Sequence, residues 1–152
     1  MYNLGNHLNL NIERFKTHPK HVFMGQKYRI SVLSESLVRI EYNATGKFVD
    51  LLTPNVRNRL FPDPTYIIKT DNTFLNIETK YFTLSYVKEA QFNDKTLTVK
   101  LNGTNLVWYY GMKEIKNFKS AAMSLDNCIT IPTLEKGLYS PDGFVTIDDS
   151  SS

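Results

Sequence analysis

Several carboxylates near the end of the sequence are candidates for general acid, base or nucleophile roles. Asp126 and Asp142 lie in stretches without strand patterning, and Asp148 and Asp149 are adjacent. Hydrolysis of a glycosidic bond needs two carboxyl groups roughly 5 to 10 Å apart, one to protonate the leaving oxygen and one to act as nucleophile or base. Neighbouring residues of a strand point to opposite faces, so Asp148 and Asp149 cannot form that pair. The sequence therefore shows no complete catalytic apparatus.

Histidine and cysteine are too sparse to suggest a metal centre. His18 and His21 are close together and His7 stands apart, while a zinc site needs three or four ligands and no neighbouring cysteine or carboxylate completes the set. The single cysteine, Cys128, has no base beside it in sequence and is interpreted as a buried structural thiol. The glycines form no phosphate-binding pattern. We therefore expect neither a metal nor a cofactor.

Composition limits the class of protein. The chain has 152 residues, 41% of them hydrophobic and 22% charged, which is typical of one folded domain spanning residues 1–152. The net charge of +3 is dispersed rather than gathered into a basic stripe, so nucleic acid is not an expected partner. We find no secretion signal and no apolar stretch of about 20 residues, which predicts a cytoplasmic protein without a membrane partner.

Alternating apolar and polar residues predict that strands position these side chains. Val38, Ile40 and Tyr42 share one face, Asp71-Asn72 marks a turn, and Asn102-Gly103 is a hairpin signal. Many short aromatic-rich strands predict an all-β fold, an antiparallel sandwich or barrel with few or no helices. The predicted strands are 27–33, 36–42, 65–70, 73–80, 81–87, 95–101 and 104–110.

The part of the chain after the strands is harder to interpret. Residues 111–140 are poor in strand signals and predict a long irregular loop, either functional or lying over a site. Only 113–124 has a pattern that could hold a turn or two of helix. Trp108, Tyr109 and Tyr110 could offer flat faces to sugars, but aromatic residues on strands more commonly belong to a sandwich core.

Four stretches, in order, resemble glycoside hydrolase family 31, the α-glucosidase and α-xylosidase family. The first, VRIEYNATGKFVDLLTPNVRNRLFP, resembles the family's VRIEYS, GKFED and NR-x-FP elements. The second and third resemble its central strands and its W-x-YG, NLGGT and TLD elements, and the fourth, LEKGLYSPDGFVTIDDS, resembles its GLLS and DDS elements. The four stretches occupy residues 38–62, 75–101, 108–126 and 134–150. We call them the first to fourth motif segments.

The sequence departs from the family pattern in the third and fourth motif segments. Lys119, Ser120 and Ala121 follow Asn117 where many relatives have Gly-Gly-Thr, and Met123 stands where arginine is common. Phe144 replaces a usual tryptophan. Sugar contacts made by the loop after Asn117 in relatives are therefore not transferred to this chain.

The resemblance implies an N-terminal, galactose mutarotase-like antiparallel β-sandwich that precedes a (β/α)8 barrel. The barrel carries the aspartate nucleophile and the aspartate acid/base of a retaining mechanism, so no catalytic residue is assigned in this chain. The parent enzyme would hydrolyse an α-linked oligosaccharide, and the fragment alone would be inactive. Its expected partners are the C-terminal barrel and, through the parent, the sugar. Residues 143–147 become a predicted sandwich strand leading to that barrel.

Position in the family pattern gives three candidate substrate-binding residues, Asp126, Asp148 and Asp149. A carboxylate such as that of Asp126 could accept hydrogen bonds from sugar hydroxyls, or it could cap a structural turn. Two other functions remain open: a stand-alone carbohydrate-binding sandwich module that uses exposed aromatics, and a sandwich used only for domain or subunit contacts.

Overall fold

A computed structural model describes residues 12–51, 53, 56, 58–113, 116–120, 126, 129–130 and 133–150. It divides the chain into two compact units, Met1–Gly111 with Ser152, and Met112–Ser151. The described helical structure is limited to two 3-10 turns, Ile12–Phe15 and Pro19–His21. None of the helical segments described is long and apolar enough to cross a membrane. His7 and Cys128 lie outside the described residues.

The first unit begins with a three-stranded antiparallel sheet. Its strands are β1 (Val22–Met24), β2 (Tyr28–Ser34) and β3 (Leu37–Tyr42), in that order across the sheet. The central strand β2 is buried on both faces from Tyr28 to Leu33. Its inner face carries Tyr28, Ile30 and Val32, and its outer face carries Arg29, whose charge must therefore be neutralised locally.

A five-stranded antiparallel sheet follows. Its strands lie in chain order as β4 (Tyr66–Thr70), β5 (Phe74–Thr79), β6 (Phe82–Val87), β7 (Leu97–Leu101) and β8 (Val107–Tyr109). Burial alternates along the central strands, as a period of two requires when one face is covered. The inward residues of these strands are Leu75, Ile77, Phe82, Leu84, Tyr86, Leu97 and Val99.

One hydrophobic core joins the two sheets. Tyr28 of β2 packs edge-on against Tyr86 of β6, with ring centroids 4.9 Å apart. Tyr42 of β3 contacts Phe92, in the loop before β7, at 5.5 Å. The predicted face of β3 also packs on this core. The first unit is therefore an antiparallel, sandwich-like all-β structure, which confirms the predicted fold class.

The turns form where the sequence predicts them, although not always with the predicted geometry. The hairpin between β2 and β3 turns at Glu35 and Ser36, and the carboxylate of Asp71 accepts hydrogen bonds from the backbone amides of Thr73 and Phe74, where β5 begins. Asn102-Gly103 begins a longer connection, residues 102–106, and only Gly103 of the two has a positive φ, 77°. The hairpin connection is therefore longer than the two residues of the Asn-Gly signal, and the Asn102 side chain accepts from Thr83 Oγ1 and donates to Thr79 O of the neighbouring β5–β6 hairpin.

The second unit contains a two-stranded antiparallel sheet, β9 (Phe118–Ser120) and β10 (Glu135–Tyr139). The helix proposed within 113–124 is therefore wrong for residues 118–120, because pairing with a strand 15 or more positions later overrides the weak local helical pattern. Residues 114–115 and 121–125 lie outside the described residues. The strand predicted at 143–147 is also wrong, since 144–149 belong to no strand.

Candidate functional site

Two arginines on the outer face of the three-stranded sheet hold the first motif segment together. Arg29 Nε lies 2.6 Å from Glu41 Oε2 and its Nη2 lies 2.9 Å from Asp50 Oδ1. Arg39 Nη2 lies 2.7 Å from Glu41 Oε1, and its Nη1 lies 3.2 Å from Asp50 Oδ1. The ring of Phe48 packs under the Arg29 guanidinium at 5.1 Å. We call Arg29, Arg39, Glu41 and Asp50 the ionic network.

Electrostatics fix the charge state of this network. Burial alone would raise the pKa of Asp50, but hydrogen bonds and charges from Arg29 and Arg39 outweigh it and lower the pKa. Burial would lower the pKa of Arg29, and Glu41 and Asp50 reverse that shift and raise it. Asp50 therefore keeps its negative charge and Arg29 its positive charge at neutral pH, and the ion pairs between them form a structural clamp.

A third arginine, Arg59, extends this clamp to the start of the described chain. Its side chain is almost completely buried, and Nη1 donates to the backbone oxygens of Phe15 at 3.1 Å and Leu51 at 2.9 Å. Its backbone amide donates to Arg14 O at 2.7 Å. Arg59 belongs to the Asn-Arg pair of the first motif segment, and these three hydrogen bonds join it to the backbone of residues 14, 15 and 51.

The third and fourth motif segments meet in the second unit. The side-chain amide of Asn117 donates to Gly137 O at 3.0 Å and accepts from Gly137 N at 2.9 Å, as a strand backbone would. A Cβ at position 137 would overlap the carbonyl oxygen of Phe118. The Asn117 side chain therefore takes the place of a backbone pairing partner where the register between β9 and β10 shifts. Glycine is needed at position 137 because a Cβ there has no room beside Phe118.

The three predicted substrate-binding aspartates all lie in the second unit. Asp126 is exposed, in a turn whose neighbouring residues lie outside the described set. Asp148 is exposed, and its Oδ1 accepts hydrogen bonds from Ser150 Oγ at 2.7 Å and Ser150 N at 3.0 Å, which lower the pKa of the carboxyl. Asp149 is half-buried. Asp148 thus forms a local turn, and the assignment of all three to a sugar site stays a prediction.

A polar surface that sequence reasoning missed lies on the outer face of the five-stranded sheet, where Asn76, Ser85 and Thr98 are half-buried. Strand pairing places one residue from each strand in a single row. With a strand spacing of about 4.8 Å, this polar row runs roughly 19 Å across the sheet. Within the described part of the chain, the side chains of Asn76, Ser85 and Thr98 form no hydrogen bond, so their donors and acceptors face solvent or a ligand. The polar row is Lys69, Asn76, Ser85, Thr98 and Tyr109.

A histidine cluster in the first unit is likewise invisible to local sequence patterns. His21 Nε2 lies 3.0 Å from Asp63 Oδ1, and Nδ1 lies 2.7 Å from the Tyr66 hydroxyl. The side chain of Lys20 pairs with the other oxygen of Asp63. His21 and Asp63 are 42 residues apart in sequence, so local spacing could not predict that they contact each other. We call Lys20, His21, Asp63 and Tyr66 the His21 cluster.

Metal-binding groupings do not emerge from these contacts. No three histidine, cysteine, aspartate or glutamate side chains among the described residues are placed to hold a metal ion. The His21 cluster supplies one imidazole and one carboxylate, and its other members are an ammonium and a phenol that burial keeps protonated.

Comparison with known proteins does not add a family. No protein-family model matches the sequence, and no curated protein gives a significant match.

Proposed function

We propose that the chain is the N-terminal β-sandwich domain of a family 31-type α-glycosidase. In this proposal the parent enzyme hydrolyses α-glucosidic or α-xylosidic bonds with retention of configuration. Its C-terminal (β/α)8 barrel supplies the aspartate nucleophile and the aspartate acid/base. The sandwich packs on the barrel, contributes to the wall of the substrate pocket and performs no chemistry itself.

The observation that carries this proposal is that residues in the resembling segments contact one another. In the first motif segment, Arg39 and Glu41 pair with each other, and Arg39 reaches Asp50. Asn117 of the third segment forms two hydrogen bonds with Gly137 of the fourth. These contacts join positions quoted for the resemblance, and in that way they support the proposal.

Expression of the complete reading frame that encodes this chain tests the proposal. We expect the full protein to hydrolyse an aryl α-glucoside or α-xyloside, with the α-anomer appearing first in a proton NMR time course. The 152-residue chain, purified alone, should release no aryl alcohol above the buffer rate. Enzyme-like hydrolysis by the chain alone, or β-anomer as the first product of the full protein, would refute the proposal.

A second candidate function, a stand-alone carbohydrate-binding module, is favoured by the polar row. The row presents an amide, two hydroxyls and the half-exposed ring of Tyr109 on one sheet face. Such groups can hydrogen-bond sugar hydroxyls, and the aromatic ring can pack on a sugar face.

Calorimetric titration of the isolated chain with maltose and isomaltose separates the two functions. The glycosidase-domain proposal predicts no saturable binding by the isolated chain. Saturable binding that is lost in Tyr109→Ala and Asn76→Ala would establish the module instead. Tyr81→Ala is the matched control, because Tyr81 is similarly exposed and lies outside the polar row.

A further inference from the structure

His21 connects three parts of the first unit through consecutive polar contacts. The contacts run from Asp63 Oδ1 to His21 Nε2 at 3.0 Å, from His21 Nδ1 to the Tyr66 hydroxyl at 2.7 Å, and from that hydroxyl to Lys20 O at 3.2 Å. The imidazole is 8% exposed, so water cannot easily replace either ring contact. The series joins the 3-10 turn Pro19–His21, the loop before β4, and the edge strand β4 itself.

The protonation state of His21 decides how many of the three contacts can be hydrogen bonds. A carboxylate and a backbone carbonyl accept hydrogen bonds and cannot donate them. Three contacts between two such ends therefore need three protons. A neutral imidazole and a phenol supply two, whereas an imidazolium and a phenol supply three. Only the doubly protonated ring makes all three contacts hydrogen bonds.

The neutral ring leaves one contact without a proton. With the proton on Nε2, the ring still donates to Asp63, and Nδ1 accepts from the Tyr66 hydroxyl. The hydroxyl then has no proton for Lys20 O, and the link from β4 to the 3-10 turn backbone is lost. The two charge states of His21 thus differ by one hydrogen bond at the edge of the sandwich.

We propose that His21 is a protonation-dependent latch that fastens the 3-10 turn Pro19–His21 to edge strand β4. In the imidazolium form the latch is closed, with all three hydrogen bonds made. Loss of one ring proton opens the contact between Tyr66 and Lys20. This inference is independent of the proposed glycosidase function, since it uses only residues of the first unit.

Asp63 and Tyr66, the two partners of the His21 ring, each keep one protonation state around neutral pH. Hydrogen bonds from Lys20 and His21 lower the pKa of Asp63 to about 2, so its carboxylate remains an acceptor across the range in which imidazoles titrate, about pH 5 to 8. Burial raises the pKa of Tyr66, so its hydroxyl keeps its proton. The Lys20 ammonium pairs with Asp63 and opposes the imidazolium, and the His18 ring lies 6.0 Å away.

The contributions of Asp63 and of the His21 ring to stability depend on pH in opposite directions. Since Asp63 has a lowered pKa, its contribution is present above the ordinary carboxyl value of 3.8 and is lost as pH falls toward about 2. The hydrogen bond from the Tyr66 hydroxyl to Lys20 O is made when the His21 ring carries both protons and is lost when the ring gives one up. The latch is therefore closed in the doubly protonated form and opens when rising pH removes one ring proton.

Nuclear magnetic resonance of the isolated chain tests the latch at about pH 5.5 and about pH 7.5, on either side of the ordinary imidazole pKa. Long-range proton–nitrogen spectra report whether both His21 ring nitrogens are protonated, with the exposed His18 as an internal reference. We expect two protonated nitrogens at the lower pH, with amide protection in β4 about fivefold higher than at the higher pH after correction for intrinsic exchange rates. Amides of β6 and β7 should show no such change.

A conservative variant isolates the hydroxyl. Tyr66→Phe removes the acceptor for Nδ1–H, so a second ring proton would be buried without a partner. We expect the pH response of β4 to fall to within about twofold, while Tyr81→Phe keeps the full response. Unchanged β4 protection between the two pH values in the wild type, whatever the ring state, overturns the latch. So does a full response that persists in Tyr66→Phe.

Discussion

Arg29 is the residue on which the outer face of the three-stranded sheet depends. Its guanidinium is 10% exposed and contacts Glu41, Asp50 and the Val49 carbonyl oxygen. Removing one partner of such a set leaves an opposite charge partly desolvated, which costs more than the intact pairs contribute. The ionic network therefore holds residues 48–50 on the sheet, and its energetics should depend on pH.

Asp50→Asn should show that dependence. At about pH 7 we expect a loss of about 1–3 kcal/mol in the free energy of unfolding, because two arginines lose a charged acceptor. The pKa of Asp50 is below its ordinary 3.8, so the wild-type advantage is present above that value and shrinks as pH falls through the lowered pKa. Urea unfolding at about pH 7 and about pH 3 measures this convergence.

The control for that measurement is Asp94→Asn, since Asp94 is exposed and forms no ion pair with any described residue. It should change stability by less than about 0.5 kcal/mol at either pH. A difference between Asp50→Asn and wild type that is as large in acid as at neutral pH would show that the ion pairs are not responsible.

Gly137 gives a second prediction at the residue scale. Gly137→Ala places a Cβ against the carbonyl oxygen of Phe118 and should separate β9 from β10, at a cost of about 1–3 kcal/mol. Amide exchange in the second unit measures the effect. Leu138→Ala, at a 70% exposed neighbour, should leave exchange nearly unchanged. Equal exchange in Gly137→Ala and wild type would mean that the strands tolerate a side chain there.

At the scale of elements, the alternation of apolar and polar residues along a strand is a local pattern, so the sequence alone predicts it. The period of two in 36–42 assigns Val38, Ile40 and Tyr42 to one face of β3, and that face packs on the core. Strand β1 could not be predicted in this way because three residues are too few to show the alternation. Strand β9 could not be predicted because it forms by pairing with β10, which lies far along the chain. The sequence correctly places Asn102 outside a strand, but the hydrogen bonds that its side chain forms are tertiary contacts.

Glu89 links elements of the two sheets and gives a prediction at this scale. Its carboxylate accepts from Gln26 N at 2.7 Å and Lys27 N at 2.9 Å, which ties the β6–β7 connection to the β1–β2 turn. Glu89→Ala should cost about 1–2 kcal/mol in thermal or urea unfolding. Glu89→Gln, which keeps one oxygen acceptor, should cost about half as much. Equal losses in the two variants would contradict a bidentate role.

For the whole molecule, the all-β class follows from composition and alternation, but the candidate sites do not. The ionic network, the His21 cluster and the polar row each join residues from different elements. Asp63 lies 42 residues from His21, a pairing that no local spacing reveals. Asp126, Asp148 and Asp149 come from the family resemblance, and their part in a pocket wall stays a prediction.

Exposed apolar side chains predict self-association of the isolated chain. Val49 and Leu51 are 59% and 69% exposed beside the ionic network, and Leu138 and Tyr139 are 70% and 78% exposed in the second unit. Apolar surface of this kind favours association in water. Sedimentation of the isolated chain should show concentration-dependent oligomers, reduced in Leu51→Ser. A clean monomer at high concentration would contradict this expectation.

The central claim is that this sandwich precedes the catalytic barrel of an α-glycosidase. Sequencing the gene downstream of the Ser152 codon tests it most directly. We predict an uninterrupted frame that encodes alternating strands and helices of a (β/α)8 barrel, with aspartates at the ends of its strands. A stop codon immediately after Ser152, or a frame encoding an unrelated fold, would contradict the claim.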